Sequence, residues 1–223
     1  MAPVEAVAPA PADTLPATVP SAPETMLSGW GRAPRVRGRE IVSEDLEELT
    51  RDAVLVRGLA RSYGDSSLPP PSHPVVAATP LADRLLAFDA ATGVLRAEAG
   101  FSLRELNRVF MPRGFFAPVA PGTQFITLGG MVAADVHGKN HHRDGCFGAS
   151  VLKLRMRVAD GRIIECSRDQ HPDLFRATIG GMGLTGAILE VECRLVHIPS
   201  PLDVGGDRAD PRHRPLHRGA EGS

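Results

Sequence analysis

The stretch LKLRMRVADGRIIEC, residues 152–166, has a regular pattern that indicates its backbone conformation. Leu152, Leu154, Met156 and Val158 alternate with basic residues, which is the period of a strand with one buried and one solvated face. The Asp-Gly pair at residues 160–161 favours a turn, and apolar residues recur at every second position after it. The stretch therefore predicts an antiparallel hairpin.

Outward from this hairpin, the chain alternates short strands with short helices. Residues 189–195 repeat the period of two, and β-branched runs occur at 53–58, 74–77 and 93–100. Helices are predicted at 43–50, with Ser43 as N-cap, and at 102–114, with Ser102 as N-cap and Glu105 three residues later. The predicted fold class is α+β, with a small βαβ lobe and a larger mixed or antiparallel lobe.

Composition excludes several functional classes. The net charge is −1, from 25 basic and 26 acidic residues, so no basic excess indicates nucleic-acid binding. No run approaches the ~20 apolar residues of a membrane span, and the N-terminus lacks the pattern of a secretory signal. Cys146, Cys166 and Cys193 are widely spaced and odd in number, which favours a reducing compartment, so a cytoplasmic location is expected.

The two ends of the chain differ in composition from its middle. Residues 1–25 are rich in proline and alanine, and residues 199–223 have no apolar period, so both are predicted to be disordered tails. The folded domain is predicted to occupy residues 26–198.

A first loop, VRGLARSYGDSS at residues 56–67, follows a predicted strand. Gly58 and Gly64 permit sharp turns, and the serines and Asp65 favour local turn hydrogen bonds. Successive N–H groups could then face one concavity and bind an anion, although an ordinary surface turn is an equal alternative.

A second loop, APGTQFITLGGMVAAD at residues 120–135, contains Thr127 as the predicted cap of a short helix. Gly129 and Gly130 would let a diphosphate approach free N–H groups at the helix start. Neither loop has the GxGxxG or GK[ST] pattern, so a Rossmann or P-loop site is not predicted. Together the two loops favour a dinucleotide bound by backbone groups.

A third loop, GGMGLTGAI at residues 180–188, is rich in glycine. It is either a turn that fixes the entry of the next strand or a surface in close contact with a flat ring or pyrophosphate.

Three histidines, His137, His141 and His142, occur within six residues. They lack the HExxH pattern, and Lys139 and Arg143 add positive charge, so no metal site is predicted. His137 is either a donor near an electron-accepting ring or a structural hydrogen-bonding residue. A metal-dependent hydrolase is the weakest alternative.

Six strings in order carry a family resemblance: GWGR (29–32), RGLARSYGD (57–65), PGT (121–123), TLGGMVAADVHGKNHH (127–142), GCFG (145–148) and DLFRATIGGMGLTG (173–186). They resemble the FAD-binding domain of the vanillyl-alcohol-oxidase-type, or PCMH-type, flavoproteins. HGKNHH and GGMGLTG are most similar to the branch that oxidises decaprenylphosphoryl-ribose. The resemblance spans residues 26–198.

The resemblance implies that FAD lies between the two lobes. It implies a pyrophosphate site at Arg57, Gly58, Leu59, Ala60, Arg61, Ser62, Tyr63, Gly64, Asp65 and Ser66, completed by Pro121, Gly122, Thr123, Thr127, Leu128, Gly129 and Gly130. It places Ala134, Asp135, Val136, His137 and Asn140 near the flavin or ribityl chain, and Ile188 near the adenine or the flavin ring. His137 is the candidate catalytic residue. Where relatives carry covalent flavin on a histidine of the first loop, this chain has Arg61, so noncovalent FAD is expected.

The activity implied is that of an FAD-dependent oxidoreductase, which moves hydride from a secondary alcohol to flavin N5. The expected substrate is a sugar hydroxyl on a lipid carrier, such as polyprenyl-phosphoribose. A substrate domain follows the FAD domain in the family, so this chain is expected to be truncated. The alternatives are a noncatalytic flavin-binding module, or half of a split enzyme that needs a separate substrate-domain chain or a reductase partner.

Overall fold

The computed structural model of the protein describes residues 22–198. The predictions of disordered tails fall almost wholly on residues 1–21 and 199–223, outside the described residues. The first strand begins at Thr25, one residue before the predicted start of the folded domain.

The small lobe is built on a four-stranded sheet in the order β1-β2-β4-β3. Its elements are β1 (Thr25–Ser28), β2 (Arg35–Val42), α1 (Leu46–Leu49), β3 (Val56–Arg57) and β4 (Val75–Ala78). β2 and β3 both run parallel to β4, and α1 connects them, which confirms the predicted βαβ lobe. β1 and β2 are additional to the predicted strands, because β2 alternates arginine with residues that include glycine and glutamate and so lacks a β-branched run.

The start of α1 differs from the prediction. Asp45, not Ser43, is the N-cap, and its side chain accepts a hydrogen bond of 3.0 Å from Glu48 N. Ser43 Oγ instead accepts from Asp45 N at 3.1 Å. The serine hydroxyl therefore stabilises the turn before the helix, and the carboxylate two residues later caps it.

The large lobe is built on a five-stranded antiparallel sheet in the order β5-β6-β10-β8-β9. Its strands are β5 (Leu85–Asp89), β6 (Val94–Glu98), β8 (Val151–Arg157), β9 (Ile163–Ser167) and β10 (Ala187–Arg194). Its helices are α2 (Leu103–Phe110), α3 (Leu128–Ala133), α4 (His141–Asp144) and α5 (Pro172–Thr178). A short pair of strands, β7 (Phe115–Phe116) and β11 (Val196–His197), lies beside them.

The two strongest local predictions are confirmed. β8 and β9 form the hairpin, closed by a 3.0 Å bond from Val158 N to Arg162 O with Gly161 at φ 84°. Ser102 caps α2, since its Oγ accepts from Glu105 N at 3.2 Å. The fold is the predicted α+β arrangement.

Two bulges alter the predicted alternation. In the pairing of β10 with β8, Ile188 lies opposite Met156 and Glu190 opposite Arg155, so Leu189 is an extra residue. A second shift makes Leu152 the extra residue of β8, which leaves Leu152 half-buried and buries Val151 in its place. The prediction that Leu152 lies on the buried face of the strand is therefore wrong.

Charged contacts join the two lobes. Arg157, at the end of β8, donates through Nη2 to Glu47 O at 2.8 Å and through Nε to Thr50 Oγ1 at 3.2 Å. Arg155 forms an ion pair of 2.5 Å with the Glu47 carboxylate. These contacts fix the small-lobe helix against β8 of the large sheet.

Candidate functional site

An open cleft lies between the lobes. All three glycine-rich loops line it, together with ends of β4 and β6. Its lining residues are Val56, Arg57, Gly58, Ser62, Ser66, Ser67, Thr79, Ala99, Thr127, Gly129, Gly130, Ala133, Ala134, Met182, Gly183, Gly186 and Ile188. We call this the cofactor cleft.

The first loop has the backbone geometry of an anion-binding site. Ala60 and Gly64 adopt left-handed conformations, with φ of 56° and 61°. Within residues 22–198, no backbone N–H from residue 58 to residue 64 donates a hydrogen bond. Unsatisfied donors in a turn of this kind are suited to phosphate oxygens. An anion-binding loop is therefore favoured over an ordinary surface turn.

Arg57, at the start of this loop, is a buried cation with only 6% of its own surface exposed. Its Nη2 donates to Ser28 O at 3.1 Å, and its Nε lies 3.4 Å from Glu40 Oε2, an ion-pair contact without hydrogen-bond geometry. Burial lowers the pKa of the Arg57 guanidinium, while the Glu40 charge opposes that shift. Arg57 Nη1 and the hydroxyl of Ser67 are buried without a partner in the described chain. Two orphaned polar groups lining one cleft are suited to an anionic ligand with acceptor oxygens.

The first two loops are in direct contact. A Cβ atom added at Gly58 would lie 2.4 Å from Thr127 Oγ1. Thr127 is the N-cap of α3, as predicted, because its Oγ1 accepts from Gly130 N at 3.2 Å. The absence of a side chain at Gly58 therefore permits the loops to meet at the floor of the cleft.

The predicted free N–H groups at the start of α3 are not free. Leu128 N donates to Phe101 O at 2.8 Å and Gly129 N donates to Ala99 O at 2.9 Å, so the chain that follows β6 satisfies them. A Cβ at Gly129 would lie 3.0 Å from Ala99 Cβ, which explains this glycine by packing. The prediction that these N–H groups are free is therefore wrong. The second loop supplies contact surface, and the first loop supplies the available donors.

The third loop is attached to the end of α3. Gly180 N donates to Val132 O at 3.0 Å, and Met182 N donates to Ala133 O at 2.8 Å. A Cβ at Gly186 would lie 2.3 Å from Arg157 O, so this glycine permits close packing on β8. Ile188, 6% exposed, continues the lining into β10. The third loop therefore both sets the entry of β10 and contributes a wall of the cleft.

Of the residues assigned by resemblance, nine line the cofactor cleft: Arg57, Gly58, Ser62, Ser66, Thr127, Gly129, Gly130, Ala134 and Ile188. Those that do not line it are Leu59, Ala60, Arg61, Tyr63, Gly64, Asp65, Pro121, Gly122, Thr123, Leu128, Asp135, Val136, His137 and Asn140. Ala60 and Arg61 instead line a second depression with Trp30, whose ring lies 5.4 Å from the Arg61 guanidinium carbon.

The polar residues around His137 have structural partners. Asn140 Nδ2 donates to Pro118 O at 2.9 Å, and Asp135 Oδ1 accepts from Gly148 N at 2.8 Å. His137 is exposed, with its ring centroid 5.5 Å from that of His141. No group of three potential metal ligands occurs in the part of the chain that the structure describes.

Eight lining residues are absent from the assignments by resemblance: Val56, Ser67, Thr79, Ala99, Ala133, Met182, Gly183 and Gly186. Ser67 and Gly183 belong to loops that the sequence already indicates. Thr79 and Ala99 follow β4 and β6, and no local pattern indicates which strand ends meet across the lobes.

Comparison with known proteins identifies the family. Residues 47–167 match the family described as "FAD binding domain". Decaprenylphosphoryl-beta-D-ribose oxidase of Mycolicibacterium smegmatis is 36% identical over 174 residues, covering 73% of this chain and 37% of that protein. Mitochondrial D-2-hydroxyglutarate dehydrogenase of Rattus norvegicus is 32% identical over 123 residues, covering 52% and 23%. L-gulonolactone oxidase of Mus musculus is 27% identical over 114 residues, covering 51% and 26%.

The chain thus spans between about a quarter and about two fifths of the length of these relatives. Its longest helix between residues 22 and 198 is α2, with eight residues, and none of the described helices could cross a bilayer. The matched residues 47–167 include the first two loops and the hairpin, and the cofactor cleft contains the orphaned polar groups that a dinucleotide would satisfy. The chain belongs to the PCMH-type FAD-binding domain family of flavoprotein oxidoreductases, and FAD is its cofactor.

Proposed function

We propose that this chain is the FAD-binding part of an oxidoreductase that moves hydride from a secondary alcohol to flavin N5. The proposed substrate is a sugar hydroxyl such as that of a polyprenyl-phosphoribose. The first relative supports this choice, since its name specifies a decaprenylphosphoryl-ribose, and other relatives are named for oxidation of a lactone or a hydroxy acid. The observation that carries the proposal is the cleft on which all three loops converge, with Arg57 Nη1 and Ser67 Oγ lacking partners among the described residues.

Bound FAD supplies the redox step, because its ring accepts the hydride. The residues of the chain supply binding and orientation. Arg57 and the N–H groups of residues 58–64 are proposed to bind the diphosphate, through charge and hydrogen bonds respectively. Ala134, Gly183 and Ile188 are proposed to offer apolar contact to the rings and to exclude water.

His137 is proposed as the catalytic residue. Its ring is exposed and makes no hydrogen bond to another described residue, and Ala134, three residues earlier, lines the cleft. We propose that this ring, which has no hydrogen-bond partner among the described residues, accepts a proton from the substrate hydroxyl. Replacement by glutamine should lower the rate of substrate-dependent flavin reduction and leave FAD affinity unchanged.

We propose noncovalent attachment of FAD. Arg61, at the position where covalent relatives have histidine, donates to Leu59 O at 2.7 Å and stacks on Trp30, so it offers no nucleophile. Acid precipitation of the FAD-loaded protein should leave the yellow colour in the supernatant. Colour that stays in the pellet contradicts noncovalent binding.

The proposal is tested by titrating the purified chain with FAD and recording the flavin absorbance bands. Arg57→Gln should weaken FAD binding by about tenfold to a hundredfold, the loss of one hydrogen bond to a charged group. Arg104→Gln is the matched control, since Arg104 stacks on Phe125 outside the cleft. Loss of the flavin absorbance when a polyprenyl-phosphoribose is added without oxygen would show flavin reduction and support catalysis by this chain. Bleaching only after a substrate-domain chain is added supports a split enzyme, and binding without bleaching in either case supports a noncatalytic module.

A further inference from the structure

One face of the small sheet carries a row of arginines. Arg35, Arg37 and Arg39 occupy alternate positions of β2, so their side chains leave the same face about 6.6 Å apart. Val36 and Leu27, which lie opposite each other in β2 and β1, face the other way and pack in a small core cluster. The arginine row is therefore on the face of the hairpin that points away from that cluster.

These arginines lack partners of opposite charge. Arg32, Arg35, Arg37 and Arg39 form no ion pair within residues 22–198, and their one side-chain hydrogen bond is from Arg35 Nε to Arg32 O at 3.0 Å. By contrast, the exposed arginines at 108, 162 and 176 each contact a carboxylate. Residues 24–39 contain four arginines and one glutamate, in a chain whose net charge is −1. The positive charge is thus concentrated locally and is not neutralised by the described residues.

Exposed apolar and aromatic side chains accompany the row. Met26, 53% exposed, lies opposite Arg37 in β1, and Trp30, 54% exposed, is in the connection between β1 and β2. Trp30 N donates to Ser62 O at 2.9 Å, which brings the exposed Tyr63 to the same end of the hairpin. Tryptophan and tyrosine are enriched at the interface between a bilayer and water, where one end of the ring is apolar and the other is wet.

We propose that this arginine face, formed by Met26, Trp30, Arg32, Arg35, Arg37 and Arg39, binds the surface of an anionic lipid bilayer. The guanidinium groups contact lipid phosphates, and Met26 and Trp30 enter the headgroup region. A nucleic acid is the disfavoured partner, because exposed methionine beside the charges gains nothing from a phosphate backbone and the whole chain has no basic excess. The inference does not depend on the proposed substrate, since adsorption to lipid needs neither flavin nor turnover.

Trp30 reports directly on this face, because it is the only tryptophan of the chain. The full chain is mixed with vesicles of phosphatidylcholine alone and with vesicles that also contain phosphatidylglycerol. We expect co-sedimentation and a blue shift of tryptophan emission with the anionic vesicles, both reversed by high salt because the charges are then screened. Binding to neither vesicle, or equally to both, would overturn the proposal, as would binding to single-stranded RNA without binding to vesicles.

Charge variants locate the contact. Each surface arginine contributes about fivefold to partition onto anionic lipid, so Arg35→Gln, Arg37→Gln and Arg39→Gln combined should weaken it on the order of a hundredfold. The control combines Arg108→Gln, Arg162→Gln and Arg176→Gln, which remove the same charge from the large lobe and should change partition less than about threefold, since they lie away from the contact. Equal losses in both triple variants would show a general charge effect and refute the assigned face.

If the first triple variant does not fold, Arg37→Gln alone provides the measurement. Arg37 is exposed and makes no hydrogen bond to the described chain through its side chain, so its loss should leave flavin absorbance unchanged and reduce partition about fivefold. An unchanged partition coefficient for Arg37→Gln would contradict the proposal.

Discussion

Replacing Gly58 with alanine tests the contact between the first loop and α3. The new Cβ would lie 2.4 Å from Thr127 Oγ1, closer than real Cβ atoms approach any neighbour, and 3.2 Å from Thr127 Cγ2, which is tighter than most real contacts. Relief requires movement of the loop or rotation of Thr127 away from Gly130 N. Loss of an N-cap costs about 1 kcal/mol, and overpacking costs about 1–3 kcal/mol. Gly58→Ala should therefore lower the free energy of unfolding by about 1–3 kcal/mol, whichever route relieves the clash.

The same change should weaken FAD binding, because movement of the first loop displaces the N–H groups that follow Gly58. The loss of one hydrogen bond to a charged phosphate corresponds to about tenfold to a hundredfold in affinity. Urea denaturation of the apoprotein gives the stability change, and fluorescence titration with FAD gives the affinity. Gly31→Ala is the matched control, since its nearest contact would be Ala33 O at 3.8 Å. It should change both quantities little.

A double-mutant cycle assigns the cause. Thr127→Ala removes Oγ1 and Cγ2, the two atoms that the new methyl group would meet most closely. In that background Gly58→Ala should cost at least 1 kcal/mol less than in the wild-type chain, a coupling expected for residues in contact. Additive effects of the two substitutions would refute the steric argument. An unchanged FAD affinity for Gly58→Ala would refute the role of the first loop.

Three further outcomes are expected. Burial raises the pKa of Cys166 to about 11 and that of Cys193 to about 12, so iodoacetamide at pH 8 should alkylate only the half-buried Cys146 of the folded protein. Mass spectrometry should count one adduct before denaturation and three after it, and early modification of Cys193 would contradict its burial. Because folded thiols with raised pKa values stay protonated while unfolded ones ionise, stability should be lost as pH rises from about 9 through about 12, which urea midpoints measured across that window would detect. Arg157→Lys cannot make the forked contacts to the small lobe and should reduce FAD affinity more than Arg162→Lys does in parallel titrations.

Sequence reasoning was most successful where a pattern is local. The β8–β9 hairpin and the cap at Ser102 follow from alternation and from side-chain chemistry within a few residues, and the structure confirms both. The assignment of Ser43 as N-cap was wrong, because Ser43 and Asp45, two residues apart, could both cap the helix and Asp45 does. Sequence reasoning also failed at Leu152, because a bulge depends on the partner strand and leaves no mark in its own sequence.

In the site, too, features set by nearby residues could be predicted and features set by distant residues could not. The glycine-rich loops could be identified from composition, and all three do line the cleft. Whether a given N–H is free could not be identified, because the carbonyls of Ala99 and Phe101 that satisfy α3 come from residues far from it in sequence. The buried Arg57 and its unsatisfied Nη1 likewise depend on Ser28 and Glu40, which belong to other strands. Local sequence patterns do not show which distant residues come into contact when the lobes and strands pack together.

The extra residue at Leu189 has a consequence for how this strand can vary. If β10 alternated regularly through Leu189, Ile188 and Glu190 would project from the same side, so either the isoleucine would leave the cofactor cleft or a carboxylate would enter the apolar interior. The strand can accept other apolar side chains at residue 188, but Leu189 must stay outside the alternation for both neighbours to keep their sides.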